Sequence, residues 1–205
     1  MPRPLSREQS QARTRARLLD SGQREFVRRG LEPTTIEQIA AAAGYTRGAF
    51  YAHFKSKAEL CLALLEDRFD RYLAQFGDVL ASDESPEVRA QDAGDHFSRL
   101  VEADPGWQRL SFEFMVYALR NEQFRGELAK RNAALRDRIA EIFRIRAEEY
   151  GIDPPIPLER LTLMTFSMAT GIGLMNLVEP EEVPDDLYGE MLSVLFLGLR
   201  ARAES

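Results

Sequence analysis

The side chains best suited to molecular recognition lie close together in residues 45–57. Arg47 is followed at helical spacing by Tyr51, and His53 and Lys57 come soon after. A guanidinium can donate two parallel hydrogen bonds to guanine, while phenol, imidazole and ammonium groups can donate to phosphate oxygens. These residue types indicate recognition of DNA, with Arg47 as the candidate for base contact and the other three as phosphate contacts.

Small side chains surround Arg47. Gly48 and Ala49 follow it directly, and Ala52 offers at most a methyl contact with thymine. Short side chains let a helix backbone approach the floor of the major groove, where the first residues of a recognition helix meet base edges. Thr46 can cap this helix through its hydroxyl. The pattern therefore places Arg47 at the start of a recognition helix.

The elements that must position these groups are indicated by local helix signals. Thr34 and Glu37 fit a capping box at the start of a helix. The apolar residues that follow keep helical spacing and form one buried stripe; they are Ile36, Ile39, Ala40 and Ala43. Gly44 stands where the end of a helix favours a left-handed residue.

A second short helix is predicted after this glycine. Phe50 and Phe54 give it an apolar anchor, and Ser56 with Glu59 forms another capping-box pattern for a longer helix. Two short helices joined by a glycine-containing turn form a helix-turn-helix. The competing interpretation is an amphipathic helical hairpin with a solvated polar face.

Charge is distributed unevenly along the chain. The formal net charge is −6, yet residues 1–57 hold eleven Arg and Lys against five acids, an excess of +6, which leaves −12 for the other 148 residues. Such asymmetry favours an N-terminal segment that meets a polyanion and a remainder that keeps the molecule soluble.

This segment resembles the TetR family of bacterial transcriptional regulators. The residues that carry the resemblance are Thr35, Ile39, Ala40, Ala43, Gly44, Thr46, Gly48, Tyr51, His53, Phe54, Lys57 and Leu60. The resemblance implies a three-helix DNA-binding domain at 1–55 and a larger helical domain for effector binding and dimerisation at 56–205. It also implies DNA contacts. Phosphates would be held by Thr35, Tyr51, His53 and Lys57, bases or their flanking backbone would be faced by Tyr45, Thr46, Arg47 and Ala49, and the backbone would be touched by Arg13.

Helical periods account for nearly the whole sequence, so the predicted fold is all-α with about nine helices. After the helix-turn-helix we expect helices near 56–80, 86–104, 106–120, 121–150, 158–177 and 184–202. The first helix is expected near 6–29. The single cysteine, Cys61, excludes an internal disulfide and fits a reducing compartment. No secretory signal is visible at the N-terminus, and we therefore expect a cytoplasmic protein.

An effector cavity is predicted from aromatic and methionine residues of the second domain. Its candidates are Trp107, Glu113, Phe114, Tyr117, Met164, Phe166 and Met168. Ordinary helical core is the alternative for each of them. Glu113 stands among apolar residues and must be paired, protonated or exposed; it fits either an ion pair with Arg109 or Arg138, or contact with a cationic ligand.

Residues 161–178 contain no charged side chain, which by length touches the threshold for a membrane span. Their threonine, serine and asparagine content favours a buried helix instead, and we expect no membrane partner. This helix and the apolar last helix near 184–202 are expected to meet their symmetry copies and form a dimer interface. The candidate interface residues are Gly171, Gly173, Tyr188, Met191, Leu192, Leu195, Phe196 and Leu199.

Together these features predict a homodimeric repressor that a small hydrophobic or aromatic effector releases from a palindromic operator. An activator, or a DNA-binding protein that needs no ligand, is the first alternative. A helical enzyme whose head binds protein is a remote one, because His53, His96 and Cys61 show no metal-ligand spacing or nucleophile–base pattern and no glycine-rich phosphate loop appears. Neither a metal nor another cofactor is expected.

Overall fold

The computed structural model describes residues 6–80, 84, 86–149, 151 and 153–203, and helices make up almost all of them. Their bounds are α1 Arg7–Arg29, α2 Ile36–Ala42, α3 Arg47–Tyr51, α4 Lys57–Leu80, α5 Pro86–Ala103, α6 Pro105–Arg120, α7 Glu122–Glu149, α8 Leu158–Val178 and α9 Leu187–Ala203. A 3-10 turn at Pro180–Glu182 precedes α9. The described residues contain no strand, which confirms the all-α prediction.

The helix ends follow their caps. Ser6 and Gln9 form a capping box at the start of α1, and Gly30 ends that helix with φ at 88°. Gly44 adopts a φ of 79° in the turn between α2 and α3, as its position predicted. Asn121 starts α7 by accepting from the Phe124 amide at 2.8 Å.

The cap of α2 lies one residue later than predicted. The hydroxyl of Thr35, not that of Thr34, accepts from the backbone amide of Gln38 at 3.2 Å. The side-chain oxygen of Gln38 in turn accepts from the Thr35 amide at 2.9 Å. Thr34 is buried instead, and its hydroxyl donates to the Gly30 carbonyl at 2.7 Å. The sequence allowed both registers, and the hydrogen bond from the buried Thr34 hydroxyl to the Gly30 carbonyl leaves Thr35 as the cap.

The chain divides into two compact units. The first comprises Met1–Arg68 and Arg109–Glu127, so part of α6 belongs with the helix-turn-helix rather than with the second domain expected at 56–205. A contact between Phe26 and Phe114 explains this grouping, because their rings meet edge to face at 6.3 Å. The largest fully buried side chains of the first unit are Leu18, Phe26, Ile39, Phe50, Phe54, Leu60, Leu110 and Phe114.

The second unit comprises Phe69–Gln108 and Leu128–Ser205. One of its buried clusters contains Ala90, Ala93, Ile172, Tyr188 and Leu192, and another contains Leu73, Leu135 and Ile139. Tyr72 packs against both clusters. Together these clusters hold α4, α5, α7, α8 and α9 around aromatic and branched side chains.

Helices α5 and α9 approach most closely at two glycines. A Cβ added to Gly94 would lie 2.3 Å from the Gly189 Cα, so only glycine fits there. Gly171 and Gly173 of α8, which were expected in the dimer interface, make no such approach within the chain. A Cβ at Gly171 would meet nothing within 4 Å, and one at Gly173 would meet only the Gln108 side chain, 3.4 Å away.

Two further expectations differ from the structure. Helix α9 begins at Leu187 rather than at Pro184, because residues 185 and 186 form a turn in which the Leu187 amide donates to the Pro184 carbonyl at 3.1 Å. Residues 110–119 are almost all apolar, which predicts that α6 is buried on nearly every side, yet Met115, Val116 and Leu119 are exposed. The apolar pattern of α6 therefore exceeds what its own unit covers.

Replacement of Gly94 by alanine should destabilise the protein. The added methyl would force α5 and α9 apart, and we expect a loss of about 1–3 kcal/mol in the free energy of unfolding. Gly126→Ala is the matched control, because a Cβ on that exposed α7 glycine meets nothing within 4 Å; it should stabilise by about 0.5–1 kcal/mol. Urea unfolding followed by circular dichroism measures both, and equal effects would contradict the packing described.

Candidate nucleic-acid interface

Helix α3 presents one polar face to solvent. Thr46 caps it by accepting from the Ala49 amide at 3.2 Å, while Phe50 on the opposite face is fully buried. Phe54, just beyond the helix, is buried as well and lies 5.6 Å from the Phe50 ring. The anchored phenylalanines leave the face that carries Arg47 exposed.

Arg47 is held by its neighbours on this face. Its Nη1 lies 2.7 Å from Oε1 of Glu37 on α2, and its guanidinium sits 5.4 Å from the centre of the Tyr51 ring. The hydrogen bond with Tyr51, followed by the charge of Glu37, raises the pKa of Arg47. Because all three side chains are exposed, the pair contributes little to stability, but it sets where the guanidinium points. No pattern in the sequence marks Glu37 as the partner of Arg47, because the two residues lie on different helices.

The other predicted DNA contacts lie around α3 with different degrees of exposure. Thr35, Gly48 and Arg13 are exposed, whereas His53 and Ala49 are half-buried. This distribution leaves a small, open surface around the start of α3.

Tyr45 lies against α1. Its hydroxyl accepts from the Thr14 hydroxyl at 3.4 Å. That bond, followed by the charges of Arg17 and Arg13, lowers the pKa of Tyr45. The phenol is therefore close to the basic residues of α1, in agreement with a surface that favours anions.

Lys57 makes hydrogen bonds that the sequence did not predict. Its Nζ donates to the carbonyl oxygens of Leu31 at 2.8 Å, Glu32 at 2.9 Å and Thr34 at 2.9 Å. Desolvation lowers the pKa of this half-buried lysine. An ammonium has three donors, so these carbonyls use all of them. The predicted phosphate contact would require the side chain to leave these bonds.

Glu113 has a partner within the same unit. Its Oε2 accepts from the Leu31 amide at 2.7 Å, and its Oε1 lies 3.9 Å from Nε of Arg109. Arg138, the other partner considered, pairs with Asp70 at 2.6 Å. Among the alternatives for Glu113, the geometry favours a structural pair over contact with a ligand.

The predicted effector residues are divided between the two units. Phe114 and Tyr117 belong to the first unit with Glu113, and the Tyr117 hydroxyl accepts from the Asn121 amide group at 3.3 Å. Trp107, Met164, Phe166 and Met168 belong to the second unit. Met168 packs against the cluster around Tyr188 and Phe166 against the cluster around Leu73, whereas Met164 is exposed.

A polar group missed by the sequence analysis lies in the second unit. The Nε2 atom of His96 is buried and has no hydrogen-bond partner among the residues that the structure describes. Its ring is 6.5 Å from that of Tyr72. Burial, followed by the charge of Arg99, lowers the pKa of His96, which favours the neutral imidazole. The sequence around His96 shows no ligand-binding pattern, so it did not predict a role for this residue.

The candidate dimer residues fall into two groups. Gly173, Tyr188 and Leu192 are buried within the chain, and the Tyr188 hydroxyl donates to the Thr165 carbonyl at 3.3 Å. Gly171 is exposed, while four α9 residues are half-buried, namely Met191, Leu195, Phe196 and Leu199. Another set of apolar side chains is left exposed on these two helices: Leu163, Met164, Leu174, Met175, Leu177, Val178, Val194 and Leu197.

Other chemistries find little support in the described part of the chain. It contains no group of three or more His, Cys, Asp or Glu side chains that could hold a metal ion. Cys61 is buried, and desolvation raises its pKa, so the thiol is poorly suited to redox chemistry. Helix α8 is long and apolar enough to cross a membrane by length and composition, but a helix in a soluble core or interface passes the same test.

Comparisons with known proteins match the helix-turn-helix segment to DNA-binding regulators. Residues 18–64 match the family described as bacterial regulatory proteins, tetR family, and residues 86–196 match the family described as BetI-type transcriptional repressor, C-terminal. The chain is 51% identical over 53 residues to the HTH-type transcriptional regulator TtgR of Pseudomonas putida, a match that covers 26% of this chain and 25% of TtgR.

Longer matches are more distant. The chain is 25% identical over 187 residues to the uncharacterized HTH-type transcriptional regulator YfiR of Bacillus subtilis, covering 91% of this chain and 90% of YfiR. The structure of the regulator FadR from Bacillus subtilis, in complex with stearoyl-CoA, superposes with a TM-score of 0.69 at 12% identity, over 88% of this chain and 96% of FadR.

The matched families and curated relatives are described as transcriptional regulators, which argues against the enzyme alternative. The chain is a DNA-binding transcriptional regulator and belongs to the TetR family.

Proposed function

We propose that the protein is a homodimeric repressor that binds a near-palindromic operator and leaves it when a hydrophobic effector binds the second unit. The observation that carries the proposal is the exposed start of α3, where Arg47 and Tyr51 stand on a buried phenylalanine anchor. A recognition helix meets base edges with its first residues.

The DNA contacts are assigned from exposure and chemistry. Arg47 reads a base edge after exchanging Glu37 for guanine, and Thr46, Gly48 and Ala49 bring the helix backbone close to the groove. Phosphates are held by Thr35, Tyr51 and His53, with Tyr45 and Arg13 at the α1 side. The exchange at Arg47 costs little, because the Glu37 pair is exposed.

Dimerisation is supported by the apolar side chains left exposed on α8 and α9. Within the chain, Tyr188 and Leu192 already fill the core, so the exposed set rather than these two would meet the partner. Exposed apolar residues at helical spacing, such as Leu163, Leu174 and Val178 on α8, mark a helix face that a symmetry copy can cover. This use also accounts for the high apolar content of α8 without a membrane.

An effector site is proposed in the second unit beside His96. The buried Nε2 needs a hydrogen-bond partner, the Tyr72 ring lies 6.5 Å from the imidazole ring, and Tyr72 packs against the apolar cluster of the second unit, with Arg99 as a charged neighbour of His96. This environment suits an apolar molecule with one polar group. FadR, with the same fold, binds stearoyl-CoA, which supports an amphipathic effector of this general kind.

Release of DNA requires that the effector favour one of two conformations. Helices α4, α6 and α7 each contribute residues to both units, so all three are covalent routes from the effector site to the DNA-binding surface. We assign the transmission role to α4, whose first turn follows α3 directly. The two copies of α3 in the dimer would then be moved out of register with successive major grooves. The proposed site of action is the cytoplasm, where the operator lies.

Arg47→Ala should relax base preference. Loss of a bidentate contact costs about 1–3 kcal/mol of discrimination at one base pair. Gel shifts on an operator and on single-base variants measure this, with Arg24→Ala as the control, because Arg24 is an exposed arginine of α1 outside the proposed contacts. The assignment of Arg47 fails if both variants lose affinity equally on every sequence.

Leu197→Glu should dissociate the dimer. Its side chain is 50% exposed on α9, and the change would bury a carboxylate on each side of the interface. Leu119→Glu is the matched control, since Leu119 of α6 is 74% exposed and lies outside the proposed surface. Light scattering after size exclusion should show a monomer for the first variant only. A dimer unaffected by Leu197→Glu, or a monomeric wild type, would refute this surface.

His96→Phe should weaken the effector response while preserving DNA binding. The ring fills a similar space but lacks the unpaired nitrogen, so stability should be equal or higher. The test uses a set of amphipathic compounds, beginning with stearoyl-CoA, and scores operator release in gel shifts. Active compounds should lose potency at least about tenfold in the variant. Tyr117→Phe, which also removes one polar atom, should respond like the wild type; the site assignment is wrong if it loses the response and His96→Phe keeps it.

A further inference from the structure

We infer that Lys57 and Glu113 form a two-sided clamp on residues 31–34, and that they are positioning residues for the DNA-binding surface. Lys57 holds this loop from the start of α4, and Glu113 holds it from α6. The inference rests on the DNA contacts proposed above. It assigns to Lys57 a role other than that of a phosphate ligand.

The Lys57 ammonium is fully occupied by the loop. Its three carbonyl acceptors lie at 2.8, 2.9 and 2.9 Å. Hydrogen bonds from a charged donor are about twice as strong as neutral ones, and here they repay the desolvation of a half-buried cation. A move to a DNA phosphate would break three such bonds to make one or two. The bonded arrangement therefore persists when DNA binds.

Glu113 acts on the same residue, Leu31, from α6. Its carboxylate accepts from the Leu31 amide at 2.7 Å, while the Leu31 carbonyl accepts from Lys57 at 2.8 Å. The Leu31 side chain is buried as well, so the residue has little freedom. A second cation secures this region, since Arg109 on the same face of α6 donates to the Val27 carbonyl at the end of α1. The loop is thus bound by charged side chains from two helices.

The clamped loop leads directly into the DNA-binding elements. Thr34, whose carbonyl accepts from Lys57, is followed by Thr35, the cap of α2. One turn of α2 then carries Glu37, which holds Arg47 at 2.7 Å. A shift of the loop would move the α2 cap and, through Glu37, the guanidinium that reads bases. Lys57 and Glu113 act on DNA affinity through this chain of contacts.

Salt dependence separates the two roles of Lys57. A phosphate ligand contributes about 0.9 to the slope of log K against log salt concentration, so its loss flattens the slope by that amount. For the clamp we expect Lys57→Met to weaken operator binding roughly tenfold or more, with a slope change no larger than that of Lys55→Met. Lys55 is an exposed lysine nearby, and its variant measures the effect of losing one charge.

Lys57→Arg provides the sharper comparison. A planar guanidinium cannot place one nitrogen at the meeting point of three carbonyls, although it binds phosphate at least as well as an ammonium does. The clamp therefore predicts that Lys57→Arg loses affinity as Lys57→Met does. Affinity equal to that of the wild type for Lys57→Arg, with a flattened slope for Lys57→Met, would identify a phosphate ligand and overturn the inference.

Amide hydrogen exchange tests the clamp without DNA. Exchange of residues 31–36 should accelerate at least about tenfold in Lys57→Met and in Glu113→Ala, whereas α9 should exchange as in the wild type. Glu113→Gln retains an acceptor for the Leu31 amide and should show a smaller change. Unchanged exchange in the first two variants refutes the clamp. A wild type that shows no operator preference refutes the proposed function instead, and the exchange result still decides the clamp.

Discussion

Burial of the apolar side of α3 is the constraint on which the DNA-binding surface depends. This helix runs only from Arg47 to Tyr51, and so short a segment is not stable in water by itself. Phe50 and Phe54, both buried, supply the packing that its length cannot. The Thr46 cap completes its first turn. The same anchoring turns the polar side chains outward, so the conditions for folding and for DNA recognition are met by one arrangement.

Backbone polarity in the loop before α2 imposes a second requirement. Three carbonyls of residues 31–34 converge, and a lysine from a distant part of the chain satisfies them all. Glu113 satisfies the Leu31 amide from α6. The first unit is therefore more than three N-terminal helices, because α6 contributes both the Phe114 packing and this carboxylate. The hydrogen-bond requirements of this one loop therefore connect the DNA-binding helices with α4 and α6, which lie later in the sequence.

Local signals in the sequence predicted the helix-turn-helix well. Caps, the Gly44 turn and the Phe50 anchor all depend on neighbouring residues, and the structure agrees with them. The α2 cap was misplaced by one residue because adjacent threonines each face an acidic or amide partner three positions on. The bonds of Lys57 were unpredictable for another reason: its acceptors are backbone atoms, and sequence gives no signal for a carbonyl that needs a donor.

Helix packing in the second unit was harder to predict than the presence of its helices. The glycines of α8 were predicted to lie in a helix–helix interface because their neighbours are apolar. The close approach of two helices within the chain occurs instead between Gly94 and Gly189, on helices of mixed composition. Apolar residues on α9 were assigned to an interface as one stripe. The chain uses Tyr188 and Leu192 internally and leaves Val194 and Leu197 exposed. Which side of an apolar helix faces its own chain depends on the neighbouring helices and not on composition.

The central claim is that two copies of α3 read one operator. Footprinting on genomic fragments captured by the purified protein tests it most directly. The account predicts protection of two inverted half-sites whose centres lie about 34–36 Å apart along one face of the DNA, with a strong preference over random DNA. Protection without sequence preference, or of a single half-site, would contradict it.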